Sequence, residues 1–201
     1  MSENATPQIV VQGERVGLGF FRKDLIPLYH RWFNDLAVQR TTSRPRLIPL
    51  EGIESEFDAF VQSESNQPFT IYELANNDAL RRPVGVANLK HVDHRDRTAE
   101  FEIIIGEPDA RGKGYGTETT RLVLDYAFHV LSLRNVMLTV YANNPAGIRA
   151  YEKAGFREFG RRTAAIEVAG ESFDVIYMEA LARDFDSPVL RDIMLPPDGG
   201  R

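Results

Sequence analysis

Apolar residues recur along the chain at alternating and at helical intervals, and this divides it into a mixed series of strands and helices. Val16 to Phe21 reads as a strand, followed by Asp24 as the N-cap of a helix through Phe33 whose apolar stripe is Leu25, Leu28 and Trp32. A second amphipathic helix is predicted over 51–63, with Ile53, Phe57, Phe60 and Val61 on one face and Glu51, Glu54 and Asp58 on another. Strands follow at Phe69 to Leu74, Val84 to Leu89 and Ala99 to Ile105, the last two joined by the polar run 91–97, which makes an antiparallel meander. After Ile105 a glycine-rich loop leads into a helix from Gly116 to Leu131, with Val123, Ala127 and Val130 at helical spacing. Val136 to Tyr141 is a short strand. Asn144 then caps a helix that has Pro145 at its first position and Gly155 just past its end. Two further strands, 157–166 and 172–180, turn at Ala169-Gly170. This order predicts an α/β (α+β) fold.

Composition sets the class. A chain of 201 residues suits one domain. We expect it over 14–184, with 1–13 an N-terminal tail or edge strand and the Pro- and Gly-rich 185–201 a C-terminal tail. Mean hydropathy is -0.30 and no apolar run is long enough to span a membrane as a helix. The first residues lack the basic and apolar regions of a signal peptide, so the expected location is the cytoplasm. The absence of cysteine excludes disulfides, thiolate metal sites and an acyl group carried on a protein sulfur. A net charge of -5 argues against a nucleic-acid partner. That charge is concentrated: between Arg46 and Arg81 there is no Lys or Arg, whereas Glu51, Glu54, Glu56, Asp58, Glu64, Glu73 and Asp78 lie there. His91, Asp93, His94 and Asp96 occupy a short turn without ligand spacing, so no metal site is expected. His30 and His129 read as ordinary helix residues, Trp32 with Phe33 as core, and Arg161-Arg162 as a solvated pair.

The chemistry lies in Arg111-Gly112-Lys113-Gly114-Tyr115-Gly116-Thr117, between a strand and a helix. Three glycines let consecutive backbone N–H groups face an anion, and the following helix adds the positive end of its dipole, an arrangement suited to a pyrophosphate. A P-loop does not fit, because Gly106 stands one residue too far from Gly112 and Gly114 occupies the hydroxyl position. A dinucleotide fingerprint does not fit either, since the glycines alternate and antiparallel strands precede them.

This loop resembles the Arg/Gln-x-x-Gly-x-Gly/Ala segment of the GNAT acetyltransferase superfamily, with Arg111, Gly114 and Gly116 at the matching positions. Asn144-Pro-Ala-Gly-Ile-Arg-Ala-Tyr151-Glu-Lys-Ala-Gly155-Phe156 is similar to the family's Asn-x-x-Ala-x-x-x-Tyr-x-x-x-Gly-Phe, with Gly147 where Ala is usual. The stretches 99–106 and 124–133 resemble the spermidine and ribosomal-protein N-acetyltransferase branches. The resemblance implies a GNAT fold, a mostly antiparallel mixed sheet with helices on both faces. It also implies acetyl-CoA as co-substrate, with Ile103, Ile104 and Ile105 beside the pantetheine arm, Arg111, Gly112, Lys113, Gly114, Tyr115, Gly116 and Thr117 around the pyrophosphate, and Asn144 in contact.

The implied reaction is direct attack of an amine on the thioester. A lysine-like amine is protonated at pH 7, and its deprotonation costs roughly 4 to 5 kcal/mol. Glu100 and Glu102, on one face of their strand, are candidates for the base, with Glu100 placed first because it matches the related branches. Tyr151 is the candidate acid for the departing thiolate. The acceptor expected is a cationic small-molecule amine, polyamine-like or aminoglycoside-like, drawn in by the acidic segment. A protein N-terminus is the alternative acceptor, and a non-catalytic CoA-binding regulatory module the alternative of another class. A homodimer is left open.

Overall fold

The computed structural model describes residues 7–42, 46–74 and 82–195. Eight strands form one sheet: β1 Ile9–Gln12, β2 Val16–Phe20, β3 Gln67–Glu73, β4 Arg82–Asp93, β5 Thr98–Ile105, β6 Asn135–Tyr141, β7 Arg157–Val168 and β8 Glu171–Leu181. Their spatial order is β1-β2-β3-β4-β5-β6-β8-β7, and every pairing is antiparallel except β5 with β6. Six helices accompany it: α1 Ile26–Phe33, α2 Leu36–Gln39, α3 Leu50–Gln62, α4 Tyr115–His129, α5 Pro145–Ala154 and α6 Leu190–Met194.

The sheet has a core on each face. One is built on α4, whose Leu122, Val123, Leu124 and Ala127 are buried against Leu18, Ile71, Leu89 and Phe101 of the strands. The other is aromatic, with Tyr29 and Trp32 of α1 and Phe57 of α3 packed on Val86 and Ile104. Helices therefore cover both faces, as the resemblance implies. None is long and apolar enough to cross a membrane among the described residues.

Local chemistry moves some boundaries. Asp24 does not cap α1. Its carboxylate is taken by Arg22 at 2.6 and 2.9 Å, residues 23–25 form a 3-10 turn, and the helix starts at Ile26 with Pro27 in its first turn. The buried stripe of α1 is accordingly Ile26, Tyr29 and Trp32 rather than Leu25, Leu28 and Trp32. Helix α4 ends at His129, not Leu131, because Ser132 takes a positive φ of 55° and Leu133 N–H turns back to the Ala127 carbonyl at 2.9 Å. Val130 lies outside the helix and is exposed. The cap of α5 is as expected: Asn144 Oδ1 accepts from Gly147 N–H at 3.0 Å, and Gly155 ends the helix at φ 107°. A Cβ on residue 147 would lie 2.6 Å from the Asn144 carboxamide, which explains Gly147 where the related pattern has Ala.

At the chain ends, the N-terminal segment takes the edge-strand alternative, while the C-terminal one differs from expectation. Ile9–Gln12 pairs with β2 as an edge strand. Residues 185–194, expected to trail as a tail, pack on α4. Asp125 of α4 has no exposed surface, and its carboxylate accepts from Ser187 Oγ at 2.6 Å, Val189 N–H at 3.0 Å and Leu190 N–H at 2.8 Å. His129 Nδ1 lies 2.8 Å from the same carboxylate, and Phe185 meets Phe128 edge-on. A buried carboxylate with this many donors is costly to remove because each donor is then left dry. We expect Asp125→Ala to lower stability by about 3 kcal/mol in denaturant titration and to open a proteolytic site after Phe185.

Candidate active site

Strand β5 pairs with β6 only over Thr98–Glu100, opposite Asn135–Met137, while it stays paired with β4 through Ile105. Beyond Glu100 the two parallel strands part. The wedge between them is a cleft of about 460 Å³ lined by Ile103, Ile104 and Ile105 on one side, Thr139 and Val140 of β6 on another, and Asn144 and Tyr151 of α5.

The glycine loop closes one end of this cleft. Gly112, Gly114, Gly116, Thr117 and Arg111 line it. Gly114 is the N-cap of α4 at φ 84°, a left-handed conformation that disfavours side chains, and no side chain caps the helix. The first-turn N–H groups and the helix dipole are therefore directed at the cleft, where an anion would be held. Arg15, on the turn between β1 and β2, fixes the loop from outside: its guanidinium donates to the Lys113 carbonyl at 2.9 Å and pairs with Glu118 at 2.8 Å. Glu118 also accepts from the backbone N–H of Glu14 and Arg15.

Three side chains of the loop region have partners in the protein. Arg111 donates from Nε to the Ile105 carbonyl at 3.0 Å, and from Nη2 to the Gly106 carbonyl at 2.9 Å and to Asp35 at 3.1 Å. It clasps the end of β5 to the α1–α2 junction. Tyr115 donates its hydroxyl to Glu73 at 2.5 Å, and Lys113 reaches the same carboxylate at 3.8 Å. Together with Arg82 these donors hold the Glu73 carboxyl below its ordinary range, the Tyr115 hydrogen bond first among them. Neither the Lys113 nor the Tyr115 side chain lines the cleft; only their backbone belongs to the loop.

Glu100 and Glu102 do share one face, toward α1 and α3, but Lys90 of β4 stands between them, 3.2 Å from each. Burial disfavours the Lys90 ammonium, yet Glu102 and Glu100 outweigh it and hold its pKa above the ordinary value. His91 Nδ1 adds a contact to Glu100 at 3.3 Å. Glu102 lines both a small pocket shared with Tyr151, Thr139, Lys90 and Glu100 and a second, aromatic pocket behind β5. Tyr151, on α5, packs edge-on against Phe101 and Phe156 and lines the cleft and the small pocket alike. Burial, with a lesser contribution from the Glu102 charge, pushes its phenol up to about 12, so it stays protonated at neutral pH. Among the described residues no group of three or more His, Asp or Glu is placed to hold a metal.

Lys90, Arg15 and Asn88 were not singled out from sequence. Arg15 is close to the loop only through the fold. Asn88 and Lys90 left a readable trace, as polar residues in and beside the otherwise apolar run 84–89.

Comparison with known proteins accords with this geometry. Residues 15–157 match the family described as Acetyltransferase (GNAT) domain. The chain is 30% identical to spermidine N(1)-acetyltransferase of Vibrio cholerae, over 73% of this chain and 87% of that protein. It is 26% identical to mouse alpha/beta-tubulin-N-acetyltransferase 9, over 78% of this chain and 67% of that protein. The crystal structure of the Vibrio cholerae spermidine N-acetyltransferase with CoA and spermine has the same fold, at TM-score 0.78 and 23% identity, covering 86% of this chain and 98% of that one. The chain belongs to the GNAT family and is an acetyl-CoA-dependent N-acetyltransferase.

Proposed function

We propose that this enzyme moves the acetyl group of acetyl-CoA directly onto a primary amine of a small cationic molecule of polyamine-like type. The observation that carries the reading is the convergence at Ile103 and Ile104. There the cleft ending in the glycine loop, the pocket beneath Tyr151 and the aromatic pocket behind β5 share lining residues. Donor and acceptor arriving from opposite sides of β5 would meet at that point, which is the positioning that converts a two-body reaction into a local one.

Acetyl-CoA supplies an activated thioester when bound. The α4 N-terminus with Gly112, Gly114 and Gly116 is suited to its pyrophosphate, and the unpaired side of Ile103–Ile105 to its pantetheine arm. Glu102 receives the ammonium of the acceptor and accepts its proton, directly or through water. We place Glu102 ahead of Glu100, the first choice from sequence, because Glu102 lines both the small pocket beneath Tyr151 and the aromatic pocket. The protonated Tyr151 hydroxyl donates to the sulfur as it departs.

Charge supports a cationic acceptor. Glu51, Glu54 and Glu56 are exposed on α3, and Glu56 lines the aromatic pocket. Of the rest of the acidic segment, Asp58 pairs with Lys23 at 2.9 Å, Glu73 is committed to the loop, Glu64 is exposed beyond the end of α3, and Asp78 lies outside the described residues. The likeness to a spermidine acetyltransferase points the same way. A protein N-terminus is the second reading, favoured by the likeness to a tubulin acetyltransferase.

The reading is tested by release of CoA thiol over a panel of amines, with spermidine expected to turn over; tight acetyl-CoA binding without turnover of any amine would overturn it. Tyr151→Phe should lower kcat by roughly 10²-fold or more with the acetyl-CoA KM unchanged, the size of a lost positioned acid. Gly114→Ala should raise the acetyl-CoA KM about tenfold, since the left-handed backbone costs an L-residue about 1–2 kcal/mol and the new Cβ would sit 2.8 Å from Arg15. The spermidine KM should rise as salt is raised from about 0.01 M to 1 M, which screens the α3 carboxylates; a flat response would remove them from acceptor capture.

A further inference from the structure

The aromatic pocket has a volume of about 120 Å³ and is walled by Phe21, Phe33, Phe57 and Phe60. Phe21 stacks on Phe57 with ring centroids 5.3 Å apart and meets Phe60 edge-on at 5.8 Å, so the walls are fixed by ring packing. An apolar cavity of about 150 Å³ is known to take up benzene. This one therefore suits a hydrocarbon group of ring size or a short alkyl chain.

Three polar side chains line it: Glu56 on the exposed face of α3, Glu102 and Asn88. Asn88 and Glu102 are direct cross-strand partners on β4 and β5, which places their side chains together on one face. Asn88 is only 6% exposed, and its Oδ1 is cut off from solvent without a hydrogen-bond partner among the described residues. A buried acceptor left unpaired costs about 1–3 kcal/mol, and such an atom in a native interior calls for a reason. A half-turn of the carboxamide about χ2 exchanges its oxygen and nitrogen, so the oxygen can be presented to the pocket the residue lines.

We propose that Asn88 is a binding residue for the acceptor, and that the acceptor is an alkyl or arylalkyl primary amine. Its ammonium donates to Asn88 Oδ1 and to Glu102 while its hydrocarbon body fills the phenylalanine pocket. An ammonium has three donors and no acceptor, which matches an amide oxygen beside a carboxylate. The pocket shares Glu102, Ile103 and Ile104 with the pocket beneath Tyr151, so a nitrogen held there stands beside the point where donor and acceptor meet. The proposal rests on the acetyltransferase reading and narrows its acceptor. Polyamines and simple alkyl amines carry the required hydrocarbon next to nitrogen. Amino sugars do not, because their hydroxyls would lose water against phenyl rings without replacement partners.

The test is calorimetric binding of butylamine to the whole protein with CoA present, for wild type and Asn88→Leu, alongside thermal unfolding and turnover. Leucine matches asparagine in shape and removes the unpaired oxygen. We expect N88L to keep or raise Tm, to bind butylamine at least tenfold more weakly, the scale of a hydrogen bond to a charged group, and to leave the acetyl-CoA KM unchanged. Should N88L fold poorly, Asn88→Asp offers the ammonium a second carboxylate and should tighten butylamine at neutral pH. Unchanged butylamine affinity in either variant, or glucosamine bound by wild type as well as butylamine, overturns the proposal. Butylamine binding that depends on Asn88 without turnover of any amine upholds this pocket and instead overturns the acetyl-transfer reading.

Discussion

The parallel pairing of β5 with β6 lasts three residues, and the functional face is organised around its end. A strand that leaves a neighbour forfeits the ladder hydrogen bonds on that side, and groups so freed are expensive if they stay dry. Here the loss is confined by Arg111, which takes up the carbonyls of Ile105 and Gly106 and hands its remaining charge to Asp35. The end of β5 beyond the parting is thus fixed by a planar guanidinium fork. Arg111, which lines the cleft, also ties the end of β5 to the α1–α2 junction.

A second constraint acts on charge. Three ionic groups, Lys90, Glu100 and Glu102, sit together on the half-buried face of β4 and β5. The Lys90 ammonium is shared between the two carboxylates, and together they hold its pKa above the ordinary value. Placing the lysine on the neighbouring strand lets the carboxylates stand close without the repulsion that two adjacent buried anions would generate. The two carboxylates differ in what they line: both reach the small pocket, and Glu102 the aromatic pocket as well.

Much of this was legible because it is local. The caps of α5, the hairpin of β7 and β8, the glycine loop and the alternation that sets Glu100 beside Glu102 all follow from neighbours within a few residues. What was not legible depends on partners far along the chain. Asp125 reads as an ordinary polar position in a helix until Ser187, Val189 and Leu190 arrive more than sixty residues later. Phe57 and Phe60 were rightly seen as one apolar face, but only the approach of Phe21 and Phe33 makes that face the wall of a pocket rather than solid core. Asp24 was misread because a local competitor, Arg22, captured the side chain before the helix could use it.

Trp32 is the chain's only tryptophan. It is buried at the junction between α1 and the end of β5, its ring against Gly106 and its indole N–H donating to Glu107 at 3.0 Å. The residue before Gly106, Ile105, lines the cleft, and Arg111 clasps the carbonyls of both Ile105 and Gly106. The fold has in effect placed one intrinsic chromophore at the mechanical joint of its cleft, so the emission of the native protein is an optical gauge of that joint, free of background from any other indole.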